Sequence, residues 1–321
     1  MKAFRWLSIL AGLALVPAAE AQTYPDKPIR VVNGFGAGGG TDLLLRTILP
    51  KLGEILGQQL IIDYRPAAGG NLAMDIVAKA PPDGYTLLMG SPGLATNPFL
   101  YRDLGWDAKK DFAPISLLGT VQNVLVVNPA LPVKSVAELV ALAKKQPGTL
   151  NFASPGAGTS LHLAAELFKE AEGIDIVHVP YKGGGQAMND VLAGKPEMMF
   201  QVVGAALPYI QSGKLRALAV TGTERSSVLP DVPTMAEVGL ADVDIRPQWS
   251  GAFLIAGTPP AIARKLEAEL RRLLTDGVVR DKIKAMAYDA GGGPGEEFAR
   301  RIDTDIRVFS DVIKAANLKF E

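Results

Sequence analysis

The sequence predicts an α/β protein in two lobes with a ligand cleft between them, and three observations predict it. Strand-like apolar runs alternate with helix-like periods, the pattern of a mostly parallel sheet with helices on both faces. About ten strand segments in 321 residues are too many for one compact sheet of this kind, whereas two lobes accommodate them. Four glycine-rich loops stand at strand ends, two in each proposed half.

The elements follow in order. Ile29–Asn33 is a short apolar strand, followed by a glycine loop and a helical period over 43–56. A second strand (59–63) and a helix (71–80) come next. Asp83-Gly84 turns the chain into a strand over 85–90. The stretch 115–128 reads as one long strand interrupted near Gly119. Ser135 with Glu138 three residues on forms a capping box that starts a helix over 135–145. Strands at 150–154, 175–181 and 197–203 alternate with helices at 160–171, 186–193 and 205–211. Strands at 215–221 and 252–256 precede three closing helices, 260–274, 278–287 and 294–316. The βα alternation lapses between Leu117 and Val127, and a second irregular stretch, 240–251, brings the chain back. The expected division is therefore 22–120 plus 250–321 for one lobe and 121–249 for the other. Two crossings make a hinge, and the terminal helices pack on the first lobe.

Residues 1–21 read as a secretory signal peptide. Lys2 and Arg5 form a basic start, 6–16 is apolar, Pro17 breaks the run, and Ala19-Glu20-Ala21 is an A-x-A site with cleavage after Ala21. The apolar run is too short for a membrane span, which needs roughly 20 residues. No later segment reads as transmembrane, so an exported, soluble mature chain is expected. The whole sequence carries 33 basic and 33 acidic residues; losing Lys2, Arg5 and Glu20 leaves 31 and 32, net −1.

Composition excludes several chemistries. With no cysteine there are no disulfides, thiolate catalysis, iron–sulfur clusters or zinc fingers. A neutral charge argues against nucleic acid, which needs a basic face. Two histidines leave little for metal or acid–base work. There is no G-x-S-x-G and no G-x-x-x-x-G-K-[ST]. No metal and no cofactor are expected.

The four loops are 34–42, 90–97, 153–160 and 181–185. Ligands of open parallel sheets bind beyond the carboxyl ends of strands, at helix N-termini. Glycine there lets backbone approach the ligand, and free N–H groups with the positive end of the helix dipole hold an anion without a cationic side chain. Thr41, Ser91, Ser154 and Thr159 add hydroxyls. Gly34-x-Gly36-x-x-Gly39 also has the spacing of a dinucleotide fingerprint, with Asp63 ending the next strand. Against it, the helix is expected to start only after Asp42, and Asp63 lies 24 residues past Gly39, against an expected ~20.

Other polar residues have two readings each. Asp42 is an acid in a first helical turn or orders the glycine loop. His162 pairs with Glu166 at i+4 on a helix surface or stands near the ligand. His178 is a core histidine in an apolar strand. Arg65 pairs structurally with an acid. Trp249, in the return crossing, packs the hinge or walls the cleft.

Phe35-Gly36-Ala37-Gly38-Gly39-Gly40-Thr41-Asp42, Arg65-Pro66-Ala67-Ala68-Gly69-Gly70, Lys79-Ala80-Pro81-Pro82-Asp83-Gly84-Tyr85, Ser154-Pro155-Gly156-Ala157-Gly158-Thr159-Ser160-Leu161-His162, His178-Val179-Pro180-Tyr181-Lys182-Gly183-Gly184 and Pro230-Asp231-Val232-Pro233-Thr234 occur in this order across the mature chain. In these the chain resembles the extracytoplasmic solute receptors of tripartite tricarboxylate transporters, the Bordetella uptake gene (Bug) group. The resemblance implies a two-lobe periplasmic binding protein with two crossing strands (type II). It implies no enzyme, but a monomer that captures a small organic carboxylate by lobe closure and delivers it to membrane transporter subunits. It points to Phe35, Gly38, Gly39 and Asp42 on one lobe and Ser154, Gly158, Thr159 and Lys182 on the other. Ser91, Gln201 and Trp249 would meet the rest of the ligand. The family commonly has Asp where Gln201 stands, so an amine-bearing ligand is disfavoured. Pro before Phe is replaced by Gly34, and Asn-Arg-Pro-Gly by Tyr64-Arg65-Pro66-Ala67. The competing functions are a secreted or dinucleotide-dependent enzyme, which would turn substrate over, and a ligand sensor for a membrane signalling partner.

Overall fold

Apolar strands sort into two sheets according to where the chain crosses. The computed structural model describes residues 24–240 and 247–315; the expected signal peptide and its cleavage site lie outside them. The first sheet contains β1 (Ile29–Asn33), β2 (Leu60–Tyr64), β3 (Thr86–Gly90), β4 (Phe112–Val121), β10 (Gln248–Ile255) and β11 (Tyr288–Ala290), in the order β11-β4-β10-β3-β1-β2. The second contains β5 (Asn123–Val127), β6 (Asn151–Ser154), β7 (Val177–Pro180), β8 (Met198–Val202) and β9 (Arg216–Val220), in the order β7-β6-β8-β5-β9. Only Gln122 separates β4 in one sheet from β5 in the other.

The expected mostly parallel sheets are in fact mixed. β1 pairs parallel with β2 and β3, and β6 with β7 and β8. β10 runs antiparallel to β3 and β4, and β5 runs antiparallel to β8 and β9. A crossing strand enters its sheet from the side of the other sheet. It therefore runs against strands that belong to local βα units, a direction that alternation along the sequence does not encode.

The helices are α1 (Gly40–Leu56), α2 (Asn71–Ala78), α3 (Gly93–Leu100), α4 (Val136–Lys145), α5 (Ser160–Glu172), α6 (Gly184–Leu192), α7 (Val203–Gln211), α8 (Pro260–Thr275), α9 (Gly277–Ala285) and α10 (Gly295–Ala315). α8 packs on β4 and α1, α9 on β11, and α10 on β4 and α3, so the closing helices cover the first sheet. Ser135 caps α4 by accepting the Glu138 N–H at 3.2 Å, while the Glu138 carboxylate accepts from Lys134 N, one residue before the expected box partner. Every residue of β5, β8 and β10 is buried, and a fully buried large apolar side chain contributes about 1.5–3 kcal/mol. The fully buried strands thus include both that cross between the sheets, β5 and β10.

Two elements were not expected. α3 leaves no helical signal in the sequence, because 93–100 is buried nearly all round and contains Pro98, so it shows no amphipathic stripe. β11 is three residues long and too short to leave a period. α1 begins at Gly40, three residues before the expected start, because glycine and threonine carry weak helix propensity.

Candidate functional site

Five loops leave strand ends and open helices at one place. There the two sheets' loops line a small, half-open cavity of about 30 Å³. Gly39, Gly40 and Thr41 at the start of α1 line it, as do Thr159, Ser160 and Leu161 at the start of α5. Gly184 opens α6 and Val202 caps α7, and both line it too. Phe35, Ser91, Pro155 and Gln201 fill the gaps, with Gln248 and Tyr288 on the wall from the C-terminal part. The first N–H groups of each helix have no intrahelical acceptor. No charged side chain is among the lining residues. A larger groove of about 960 Å³, between Pro28, Leu49, Pro50 and Ile62, lies on the outer side of α1 and draws nothing from the second sheet.

The first loop is held by a carboxylate. Asp42 is 1% exposed and accepts the Gly38 N–H at 2.9 Å, the Tyr64 hydroxyl at 2.5 Å and Arg46 Nε at 2.9 Å. Burial alone would raise its pKa, but the bonds from Gly38, Tyr64 and Arg46 outweigh burial and hold it below the usual carboxylate range. Asp42 thus orders the loop, the second of its two readings, and neither it nor Gly38 lines the cavity. Asp63, the candidate ribose acid, is paired with Arg30 and Arg65.

The second loop is held by hydroxyls and imidazoles. Ser154 Oγ meets His178 Nε2 at 2.7 Å and accepts the Gly156 N–H at 3.2 Å. Thr159 caps α5 by accepting the His162 N–H at 3.2 Å. His162 Nδ1 accepts the Gly158 N–H at 3.1 Å, and its ring stacks on His178 with centroids 3.7 Å apart. The expected surface pair with Glu166 is corrected. The contact exists at 3.5 Å, but His162 is 1% exposed, because α5 turns that face onto β6 and β7. Burial, with neighbouring His162, pushes the His178 imidazole down to about 3.

Gln201 is buried and spends its amide on backbone: Oε1 accepts from Val202 N at 2.9 Å and Nε2 donates to Gly184 O at 3.3 Å. It therefore fixes the starts of α6 and α7 relative to each other. The loops also meet across the sheets. Gly36 N donates to Lys182 O at 3.3 Å, Thr96 Oγ1 to Gly158 O at 3.0 Å, and Tyr101 Oη to Ala157 O at 2.9 Å. Ser160 Oγ meets Gln248 Oε1. The approach is so close at Gly185 that a Cβ there would stand 2.5 Å from Ala37 O.

Of the residues expected in the site, the structure brings Phe35, Gly39, Ser91, Thr159 and Gln201 to the cavity. Gly38, Asp42, Ser154 and Gly158 stand behind it as loop supports. The Lys182 side chain is exposed to solvent, and only its carbonyl takes part. Trp249 is fully buried, donates from Nε1 to Asp305 at 2.7 Å and packs edge-on against Phe298, so it belongs to the core between β10 and α10 and does not line the cavity. Gln248, Ser160 and Tyr288 were missed. Gln248 was legible only as lying in the return crossing. Among the described residues no cluster of three or more His, Asp or Glu could hold a metal, and no helix is long and apolar enough to cross a membrane.

The family model "Tripartite tricarboxylate transporter family receptor" matches residues 44–318. Protein BugT of Bordetella pertussis is 33% identical, over 97% of this chain and 96% of its own length. The R. palustris protein Rpa4515, solved with adipate, superposes with a TM-score of 0.89 at 34% identity, covering 92% of this chain and 100% of that one. MatC (Rpa3494) from Rhodopseudomonas palustris, solved with bound malate, gives a TM-score of 0.86 at 30% identity, covering 90% and 100%.

Proposed function

The chain belongs to the tripartite tricarboxylate transporter receptor family, whose members are solute-binding receptors and not enzymes, and from that premise we propose that it captures a small dicarboxylate between its lobes in the periplasm and delivers it to a membrane transporter. Its fold is the two-lobe, type II arrangement of the periplasmic binding proteins. The lobes we assign follow the expected division, 22–120 with 250–321 and 121–249, except that Val121 at the end of β4 and Gln248 and Trp249 at the start of β10 lie in the first sheet and go with the first lobe. Export would follow removal of residues 1–21.

One observation carries the ligand class. The starts of α1, α5, α6 and α7, one from the first sheet's half and three from the second's, converge on a cavity without a charged lining side chain. A helix N-terminus favours an anion by about 0.3–1 kcal/mol when exposed and up to ~2 kcal/mol when partly buried. Several together replace the cations such a site would otherwise need. The related proteins solved with adipate and malate hold dicarboxylates. No lining acid is available for an ammonium, and Gln201 is committed to backbone, so the ligand lacks an amine.

Closure follows from the same geometry. A ligand that touches both half-sites gains contacts only in the closed form and shifts the population toward it. The Thr96–Gly158 and Tyr101–Ala157 hydrogen bonds support that reading, since they join the two halves beside the cavity.

The test is a thermal-shift comparison of adipate, malate, citrate, aspartate and NAD on the mature chain. A ligand at 100-fold excess over Kd stabilises by about 2.7 kcal/mol, or roughly 4 °C for a protein of this size. The expected result is a shift with one or both dicarboxylates and none with NAD. A shift with NAD and none with any carboxylate overturns the proposal.

A further inference from the structure

One wall of the cavity is unlike the helix starts. Tyr288, in β11 opposite Val121 of β4, lines the cavity and is 1% exposed, yet its hydroxyl has no hydrogen-bond partner in the protein. Burying a hydroxyl without a partner costs folding stability, because the hydrogen bond it made to water is lost and not replaced. Packing gives no reason for it, because phenylalanine would fill the ring's space without that cost. Ser250, the polar side chain beside it, is near enough to interact with the phenol and partly offset the effect of its burial, yet it too makes no hydrogen bond of ordinary geometry, so the pair leaves bonding capacity unused.

The position of the hydroxyl supplies the reason. It stands against Gly40, where an added Cβ would overlap it and Val202. Gly40 is the first residue of α1, so the phenol and the free amides of that helix start face the same space. Burial pushes the phenol well above its ordinary range, so it stays a neutral donor at physiological pH. A carboxylate oxygen can accept from the phenol and from the amides together, whereas an ammonium would find an acceptor in the hydroxyl oxygen but none among the amides.

We propose that Tyr288 is a ligand-recognition residue whose hydroxyl donates a hydrogen bond to the carboxylate held at the start of α1. The assignment rests on the cavity being the carboxylate site. It would make the short C-terminal strand, and not only the glycine loops, part of what selects the ligand.

Calorimetric titration of wild type and Tyr288→Phe with adipate and with malate tests it, alongside the melting temperature of each protein without ligand. The expected result is that the variant binds at least about tenfold more weakly, as loss of a hydrogen bond to a charged group predicts. Without ligand it should melt at or above the wild-type temperature. Equal affinity in the two proteins overturns the assignment while leaving the cavity reading intact. Weaker binding together with a lower ligand-free melting temperature also overturns it, because the hydroxyl would then serve the fold. Failure of the wild type to bind either carboxylate overturns the cavity reading and this assignment with it.

Discussion

The loop before α1 and the loop before α5 present the same thing, a row of backbone N–H groups at a helix start, and they are held in opposite ways. Asp42 gathers the first with an ionised carboxylate that takes bonds from Gly38, Tyr64 and Arg46. The second is gathered by Ser154, Thr159 and two stacked imidazoles, with the Glu166 carboxylate one step back, against His162. A carboxylate can be placed behind an anion site only if its own donors neutralise it, and here Arg46 does so from solvent. The second loop takes its direct bonds from hydroxyls and imidazoles, and its carboxylate, Glu166, stands one step further away, against His162 and Lys169. Two solutions to one electrostatic problem should therefore fail under different conditions.

The largest expected effect separates them by mutation. Asp42→Asn keeps the side chain's volume but removes the charge from a buried acceptor of three donors. Hydrogen bonds to charged groups contribute about 1.5–3 kcal/mol, discounted here for the solvent-exposed Arg46, so a loss of about 2–3 kcal/mol is expected in urea denaturation, with weaker carboxylate binding. A loss below about 0.5 kcal/mol, within the range of ordinary surface substitutions, would show that the loop holds its shape without the carboxylate.

pH separates them next. The folded pKa of His178 lies far below the unfolded value, so between about 6.5 and about 3 the folded state binds fewer protons than the unfolded one. Its contribution is whole above 6.5 and is lost as pH falls through that window. Asp42, whose pKa is lowered, contributes above the ordinary carboxylate value of about 3.9 and loses that contribution only below it. The melting temperature should therefore already fall between pH 7.5 and pH 5. His178→Gln should flatten that slope, and Asp42→Asn should leave it in place. A wild-type melting temperature that is level over this range would refute the second-loop account.

The smallest effect concerns where the loops meet. Tyr101→Phe removes the bond to Ala157 O, worth about 0.5–1.5 kcal/mol. If that bond belongs to the closed form, calorimetry should show carboxylate affinity lowered by up to about tenfold with the ligand-free melting temperature unchanged. A fall in melting temperature with unchanged affinity would place the bond in the fold and not in closure.

Local signals carried much of this arrangement. Ile29–Asn33 was legible to the residue, and the Ser135 cap and the Thr159–Ser160 helix start were close to their observed places, because propensity, capping and periodicity act within a few residues. The four glycine loops and five of the cavity residues were legible for the same reason. α3 was hidden because a helix buried all round has no stripe, and β11 because three residues have no period. Asp42 and Ser154 were located as site residues, but whether they touch ligand or hold the loop depends on which N–H groups lie within 3 Å.

By itself the sequence determined the alternation of strands and helices, the two-lobe organisation, the glycine loops at strand ends and the family motifs. All are local in the chain, or repeated often enough to be read locally. The tertiary structure alone decided that β5 and β10 run antiparallel to their neighbours, that His162 is buried against His178, that Trp249 belongs to the core between β10 and α10, and that Tyr288 reaches the start of α1 from 248 residues away along the chain. These depend on contacts between distant segments. Their free energy comes from burial and hydrogen-bond geometry fixed only once both sheets have formed, so no short-range pattern in the sequence records them.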